Sequence, residues 1–209
     1  MAHAERAALA DDLAVLEAEG WSRQSLCESW TVEDVLAHLT AAASVGRVRW
    51  VTSVLGARFD FDKHNERRKA EHLGTTPTET LALFRAIIPS TTSAPGPTVA
   101  WLGEVIVHAQ DIRRPLGLSY TPSIEATTAV AEFFASRDFT VPGKTLINGL
   151  RLEATDGPFV SGTGPLVSGT TLALTMAMAG REAYCDDLAG PGASTLRDRI
   201  LALSGGGTA

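Results

Sequence analysis

Apolar residues recur at helical spacing through the first two-thirds of the chain, and this pattern limits the fold more than any other feature. Between residues 4 and 18, for example, Leu9, Leu13 and Leu16 share one helical face. The predicted helices cover residues 4–18, 31–55, 77–88, 98–114 and 122–136. Because each helix carries an apolar stripe that must be buried, the segment is expected to fold as an up-and-down helical bundle.

Residues with known roles at helix ends support these boundaries. Thr31 can cap the second helix while Asp34, three residues on, returns the bond, as in a capping box. The fourth helix has Arg113 and Arg114 in its last turn and is followed by Pro115 and Gly117. Cations suit the negative end of the helix dipole, and proline and glycine favour a stop there.

The pattern changes after about residue 137. Residues 137–144 (RDFTVPGK) have the composition of a linker, and 150–155 (LRLEAT) alternate apolar and polar side chains with the period of a strand. Asp156-Gly157 is typical of a hairpin turn, 159–169 supply a second strand-and-turn stretch, and 170–180 look helical. The sequence therefore predicts an α+β protein: a helical bundle at 1–137 and a small α/β C-terminal domain at 145–209.

Charge and hydropathy exclude several classes of partner. The formal net charge of −6 argues against nucleic acid, whose phosphates need clustered Lys and Arg. The locally basic stretch 61–72 also contains acidic residues, so it is interpreted as a solvated helix face. The longest strongly apolar run, 172–179, is far shorter than the roughly 20 residues that span a bilayer. No nucleic-acid or membrane partner is therefore expected.

The N-terminal segment and the cysteines favour a cytoplasmic protein. Charged residues interrupt the first 20 positions, which therefore lack the apolar core of a signal peptide. Cys27 and Cys185 form neither a CxxC motif nor a disulfide framework, which fits a reducing compartment. Either thiol could be a metal ligand, but both are expected to be buried structural cysteines.

Three residues on two predicted helices are candidate metal ligands. Glu104 and His108 are four residues apart, so both side chains project from one helical face, and His38 lies mid-helix between leucines. Two histidines and a carboxylate are a common ligand set of catalytic zinc sites, which keep a fourth position open. On spacing alone, a surface Glu/His pair and a hydrogen-bonded core histidine are the competing interpretations.

Neighbouring polar residues could support such a site. Asp34 lies one turn before His38, and Asp111 lies three residues after His108, so each carboxylate could fix a histidine ring from the second shell. Helix capping is the competing role for Asp34. Arg49, on the same stripe as His38, is a candidate to bind an anionic ligand.

One glycine-rich stretch resembles a nucleotide-binding loop without meeting its requirements. Gly164 and Gly169 mimic the ends of a P-loop, but Thr170 stands where the phosphate-binding lysine belongs. These glycines are therefore interpreted as turn residues.

Two blocks of sequence resemble a known family. Residues 25–39 (SLCESWTVEDVLAHL) and 103–117 (GEVIVHAQDIRRPLG) are similar to the two signature blocks of the mycothiol-dependent maleylpyruvate isomerase family, an actinobacterial group within the DinB-like metal-binding bundles. The run from 150 to 181 also resembles the small, sterol-carrier-like second domain of these proteins. The resemblance implies that His38, Glu104 and His108 bind the metal.

The resemblance also implies an activity. Mycothiol, a low-molecular-weight thiol, would be the cosubstrate, and a divalent metal, most simply zinc, would hold its sulfur as the nucleophilic thiolate. The expected enzyme is a mycothiol-dependent transferase or isomerase acting on a small electrophile. A zinc hydrolase with Asp111 as its general base, and a non-enzymatic metal- or ligand-binding protein, are the alternatives. The sequence leaves the oligomeric state open, with a homodimer among the options.

Overall fold

The chain folds into two compact units, Met1–Tyr120 and Thr121–Ala209. A computed structural model describes residues 1–44, 61–92 and 96–205, with the side chains of 61–65 and 204–205 excepted. The helices of the first unit are α1 (Ala2–Leu13), α2 (Ala18–Trp21), α3 (Val32–Ser44), α4 (Phe61–Ala70), α5 (Pro77–Ala86) and α6 (Thr98–Leu116). The second unit contains α7 (Ile124–Ser136), α8 (Gly143–Leu146), β1 (Arg151–Ala154), β2 (Val160–Gly162), β3 (Leu166–Gly169), α9 (Thr171–Met178), a 3-10 helix (Glu182–Asp187) and α10 (Ala193–Gly205).

The first unit is a helical bundle, as the apolar periodicity predicts. Helix α3 packs against α4, α5 and α6, and α1 packs against α5 and α6. Leu13, Leu36, Phe84 and Ile106, one from each of α1, α3, α5 and α6, are at most 1% exposed. The core therefore consists of the apolar stripes of four helices, and α3 and α6 lie against each other within it.

The first helix is shorter than its pattern indicates. It ends at Leu13, and a separate short helix begins at Ala18. Val15, which the pattern places inside the helix, is 82% exposed, so this part of the chain has no buried apolar anchor. The second predicted helix begins at Val32, and its extension from 45 to 55 lies outside the described residues.

Helix α6 is the longest described helix; Pro115, expected after it, lies inside its last turn, and the helix stops at Gly117 as the sequence indicates. The backbone N–H of Leu118 donates to the carbonyl of Arg113 at 3.0 Å, and Gly117 adopts a left-handed φ of 68°. This is the hydrogen-bond pattern of a Schellman stop. Arg113 itself is fully buried, and its Nε donates to Asp12 Oδ2 at 2.7 Å, which links α6 to α1.

The interpretation of 61–72 as a solvated face is wrong at two positions. Arg68 and Lys69 are 7% and 8% exposed. Lys69 Nζ lies 3.2 Å from Asp34 Oδ1 on α3 and 2.9 Å from Glu66 Oε2. The lysine is buried because a carboxylate from a distant part of the sequence meets it, and local charge alternation cannot reveal such a partner.

The second unit contains the strands that the period-two pattern predicts. They form a three-stranded sheet in the order β2-β1-β3, in which β1 is antiparallel to β2 and parallel to β3. Asp156-Gly157 lies in the connection between the antiparallel pair. With a helical unit followed by this sheet and its helices, the α+β prediction is confirmed.

The boundary between the units differs from the one the sequence suggested. The linker-like composition placed it between 137 and 145, whereas the structure divides the chain after Tyr120. Helix α7 therefore belongs to the second unit, where it packs against α9. Periodicity identifies an apolar face on α7 but not the helix that covers it, which explains the difference.

None of the helices in the described ranges is long and apolar enough to cross a membrane.

Candidate metal centre

His38, Glu104 and His108 lie together where α3 meets α6. One potential ligand atom from each of the three lies within 4.8 Å of the others. His38 projects from the middle of α3 and its side chain is 11% exposed, while Glu104 and His108 lie one turn apart on α6 with side chains 29% and 18% exposed. The cluster is thus built on two packed helices rather than on loops, and it retains partial access to solvent.

The distances in this cluster fit a divalent metal. Nε2 of His38 lies 3.3 Å from Oε1 of Glu104, and the two histidine rings have centroids 5.0 Å apart. Two ligands that each bind zinc at about 2.0–2.1 Å in a tetrahedral arrangement are separated by about 3.3–3.4 Å. The donor atoms of His38 and Glu104 therefore have the spacing of two ligands of one zinc ion, and a donor atom of His108 lies within 4.8 Å of both.

Glu104 is kept ionised by its surroundings. Burial raises the pKa of this carboxyl, but the hydrogen bond and charge of His38 and the charges of His108 and Arg6 outweigh it, so its pKa lies below the usual value. Arg6 is only 1% exposed and stacks on Trp101, one turn before Glu104. A carboxylate that stays charged is the form that binds a metal.

Asp111 fixes the orientation of the His108 ring. Its Oδ2 lies 2.9 Å from Nδ1 of His108, and its side chain is fully buried. Since an ionised carboxylate can only accept, beside it the proton of a neutral ring would reside on Nδ1, and Nε2 would be the nitrogen open to a metal. The contact predicted from the three-residue spacing is present, and it has the geometry of a carboxylate–histidine–metal arrangement.

Cys27 also reaches this end of the cluster. Its Sγ donates to Asp111 Oδ2 at 3.1 Å and lies 3.6 Å from Nδ1 of His108. Cys27 is only half-buried and contacts a candidate site, so the prediction of a buried structural cysteine is wrong for it; Cys185 is 5% exposed and fits that prediction. Cys27 lies in an irregular loop with no periodicity, and the only signal for it was its place in the first resembling block.

The ring of Trp30 packs against the ring of His38. Its ring centroid lies 4.9 Å from that of His38, and its Nε1 donates to Glu66 Oε1. The ammonium group of Lys69 lies 5.1 Å from the Trp30 ring centroid. An aromatic ring held by a charged pair thus flanks the cluster and limits the space beside the candidate ligands.

The remaining sequence candidates have different outcomes. Asp34 Oδ2 accepts from the backbone N–H of Thr31 at 3.0 Å and from its hydroxyl at 2.9 Å, so it completes the predicted capping box, and Oδ1 pairs with Lys69. These contacts favour the capping role, and an effect of Asp34 on His38 stays a prediction. Arg49 lies outside the described residues.

Comparison with known proteins identifies similar sequences and folds. The family profile of the mycothiol maleylpyruvate isomerase N-terminal domain matches residues 2–113. A crystal structure of a mycothiol-dependent maleylpyruvate isomerase, in a histidine-to-alanine mutant, is 16% identical with a TM-score of 0.58, covering 92% of this chain and 90% of that chain. A second crystal structure of a mycothiol-dependent maleylpyruvate isomerase is 13% identical with a TM-score of 0.54 and the same coverage. At these identities the structural likeness establishes the fold alone. No curated protein sequence matches the chain.

Proposed function

The chain belongs to the family of the mycothiol maleylpyruvate isomerase N-terminal domain, and on that basis we propose that it is a thiol-dependent enzyme whose metal is held by His38, Glu104 and His108. Zinc suits the two imidazoles and one carboxylate. The observation that carries the proposal is the 3.3 Å separation of His38 Nε2 and Glu104 Oε1, with Asp111 oriented on His108. Mycothiol is the cosubstrate that the family suggests.

A bound zinc ion would supply a Lewis acid that lowers the pKa of a thiol at its open position. The residues of the chain would orient the ligands, keep the carboxylate charged and border that position. Asp111 fixes the His108 ring, Arg6 and the two histidines keep Glu104 charged, and Trp30 flanks His38. With three protein donors and partial exposure, the cluster has the form of a catalytic site rather than a closed structural one.

The reaction class follows from thiolate chemistry. The sulfur lone pair forms a C–S bond to the electrophilic carbon of an unsaturated carbonyl compound while the C=C π pair moves toward the carbonyl oxygen. Protonation of the adduct completes S-transfer. Rotation about the former double bond and re-expulsion of the thiolate complete a cis–trans isomerisation. We propose one of these two outcomes for a small electrophile, in a reducing cytoplasm that suits the thiols of Cys27 and Cys185.

The zinc-hydrolase alternative loses support from the position of Asp111. That carboxylate is the general base the alternative would need. It is fully buried, and its Oδ2 already accepts from His108 and from Cys27. A base committed to a metal ligand is poorly placed to take a proton from water, so the geometry favours the thiol reaction.

Cobalt substitution tests the proposal directly. The protein is stripped with a chelator, loaded with Co²⁺ and titrated with mycothiol, with S-methylated mycothiol as the matched control ligand. The titration is run in Cys27→Ser, because Sγ of Cys27 lies 3.6 Å from His108 and could produce a sulfur band of its own. A new sulfur-to-cobalt charge-transfer band with mycothiol alone is expected. A loaded protein whose spectrum does not respond to the thiol would overturn the thiol role.

Product analysis separates the two reaction classes. With a cis-configured unsaturated carbonyl compound as the electrophile, S-transfer consumes one equivalent of thiol per molecule converted. Isomerisation yields the trans compound and leaves the thiol concentration unchanged. Conversion that proceeds equally well without any thiol would contradict both.

A further inference from the structure

The loop before α3 holds Cys27 in a fixed position. The backbone N–H of Cys27 donates to Ser25 Oγ at 3.1 Å, and its carbonyl accepts from Gln24 Nε2 at 2.8 Å. Ser25 Oγ also donates to the carbonyl of Trp30 at 2.7 Å, which closes the loop on itself. Both the backbone N–H and the backbone carbonyl of Cys27 are therefore hydrogen-bonded, which fixes the position of the thiol.

This loop is docked onto α6 at the residue that orients His108. The backbone N–H of Leu26 donates to the carbonyl of Asp111 at 3.0 Å, and Sγ of Cys27 donates to Asp111 Oδ2 at 3.1 Å. Nδ1 of His108 lies 2.9 Å from the same Oδ2 atom. Two side-chain donors, one from the loop and one from the candidate ligand, thus converge on one oxygen of a fully buried carboxylate.

Hydrogen bonding explains these distances better than direct metal binding by Cys27. Sγ of Cys27, Nδ1 of His108 and Oδ2 of Asp111 do lie within 4.8 Å of one another, so they could in principle surround an ion. A zinc ion would hold a thiolate sulfur and a carboxylate oxygen about 3.5 Å apart and the nitrogen and oxygen about 3.3 Å apart. Oδ2 of Asp111 lies 3.1 Å from Sγ of Cys27 and 2.9 Å from Nδ1 of His108. Both separations are shorter than a shared zinc ion would impose and match hydrogen bonds.

We infer that Cys27 is a positioning residue of the metal centre, whose thiol holds the Asp111 carboxylate so that Asp111 in turn keeps Nε2 of His108 directed at the metal. The inference rests on the metal site proposed above. A buried carboxylate is costly unless its oxygens are satisfied, and a second donor on Oδ2 limits its rotation away from His108. Outer-shell partners of this kind alter metal affinity without touching the ion.

The test compares Cys27→Ala and Cys27→Ser with wild type, and uses Cys185→Ser, a buried cysteine of the other unit, as the matched control. The dissociation constant for Zn²⁺ is measured by competition with a chromophoric chelator, and thermal unfolding of the metal-free proteins is followed in parallel. Cys27→Ala is expected to weaken zinc binding by about 10-fold. Cys27→Ser, whose hydroxyl can donate to Asp111, is expected to recover most of this loss. Cys185→Ser is expected to bind as wild type does.

A double-mutant cycle separates positioning from a general structural effect. Because Cys27 acts through Asp111, Cys27→Ala is expected to cause no further loss of zinc affinity in an Asp111→Asn background, whereas independent effects would multiply. Wild-type affinity in Cys27→Ala, or full additivity with Asp111→Asn, would overturn the inference. A sulfur-to-cobalt band in thiol-free wild type that disappears in Cys27→Ser would also overturn it, because Cys27 would then be a ligand. Failure of the wild type to bind any metal would count against the proposed function instead.

Discussion

Oδ2 of Asp111 lies 2.9 Å from Nδ1 of His108 while the Asp111 side chain is completely shielded from solvent. The carboxylate therefore determines which ring nitrogen of His108 is available to a metal. Asp111→Asn retains the shape of the side chain but removes its charge and weakens the hydrogen bond. We expect it to lower zinc affinity by about 10-fold, as outer-shell substitutions commonly do.

Competition with a chelator measures this change, and Asp138→Asn serves as the control. Asp138 and Thr145 both belong to the second unit, where the exposed Asp138 carboxylate accepts a hydrogen bond from Thr145. Neutralising Asp138 should therefore not change metal binding. Equal zinc affinity in Asp111→Asn and Asp138→Asn would show that the carboxylate does not orient a ligand.

The three proposed ligands predict a common phenotype. His38→Ala, Glu104→Ala and His108→Ala should each lose most bound metal, with affinity reduced on the order of 100-fold or more, because two donors rarely hold zinc at a site built for three. His72→Ala is the matched control, since His72 lies just after the end of α4 and its Nδ1 is 2.9 Å from the carbonyl of Arg68. Elemental analysis after dialysis provides the measurement. A ligand variant that retains a full equivalent of zinc would remove that residue from the site.

Lys69 makes folding stability depend on pH in the alkaline range. Burial lowers the pKa of Lys69, but its hydrogen bonds to Glu66 and Asp34 and their charges outweigh this, so its pKa lies above the usual 10.5. A raised pKa in the folded protein means that the stabilisation is complete below about 10.5 and disappears as the pH rises through the folded value. Lys69→Met should therefore destabilise the protein by about 1–2 kcal/mol near neutral pH.

Urea unfolding of Lys69→Met and wild type, near neutral pH and above the lysine range, tests the sign of this effect. The difference in unfolding free energy should narrow at the higher pH, where wild type loses the same charge. Lys144 is exposed, so Lys144→Met should differ only slightly from wild type in unfolding free energy at both pH values. If the difference in unfolding free energy between Lys69→Met and wild type does not change with pH, the effect comes from packing of the side chain rather than from its charge.

The bundle could be predicted because it depends on short-range spacing, whereas the candidate ligand triad also required the resemblance of two separate sequence blocks to a known family. The stripe that includes Leu36 and Leu39 marks the buried face of α3 and therefore the depth of His38. Glu104 and His108 share a face for the same reason. Asp111 follows from the next turn of the same helix.

The features that the sequence does not reveal depend on contacts between segments that are distant along the chain. Cys27 reaches Asp111 because an irregular loop docks on α6, and irregular loops have no period to detect. Lys69 is buried because Asp34 meets it from another helix, although its own neighbourhood has the charge alternation of a solvated surface. In the second unit, turn glycines could be recognised from composition, but which of them tolerate a side chain depends on the backbone that lies opposite.

Gly149 and Gly162 provide a controlled test of that last point. Both have a φ of 72°, a region where a residue with a Cβ is strained by about 1–2 kcal/mol, so alanine is strained at either position. A Cβ at Gly149 would meet nothing within 4 Å, whereas one at Gly162 would lie 2.2 Å from the carbonyl oxygen of Leu150. Gly162 is paired with Arg151 in the antiparallel ladder, so its backbone cannot move aside without breaking that register. Gly149→Ala should lower the free energy of unfolding only by the strain energy, and Gly162→Ala should lower it by at least about 1 kcal/mol more. Chemical denaturation of both variants measures the gap, and equal losses would mean that the strand pair adjusts to the added methyl group.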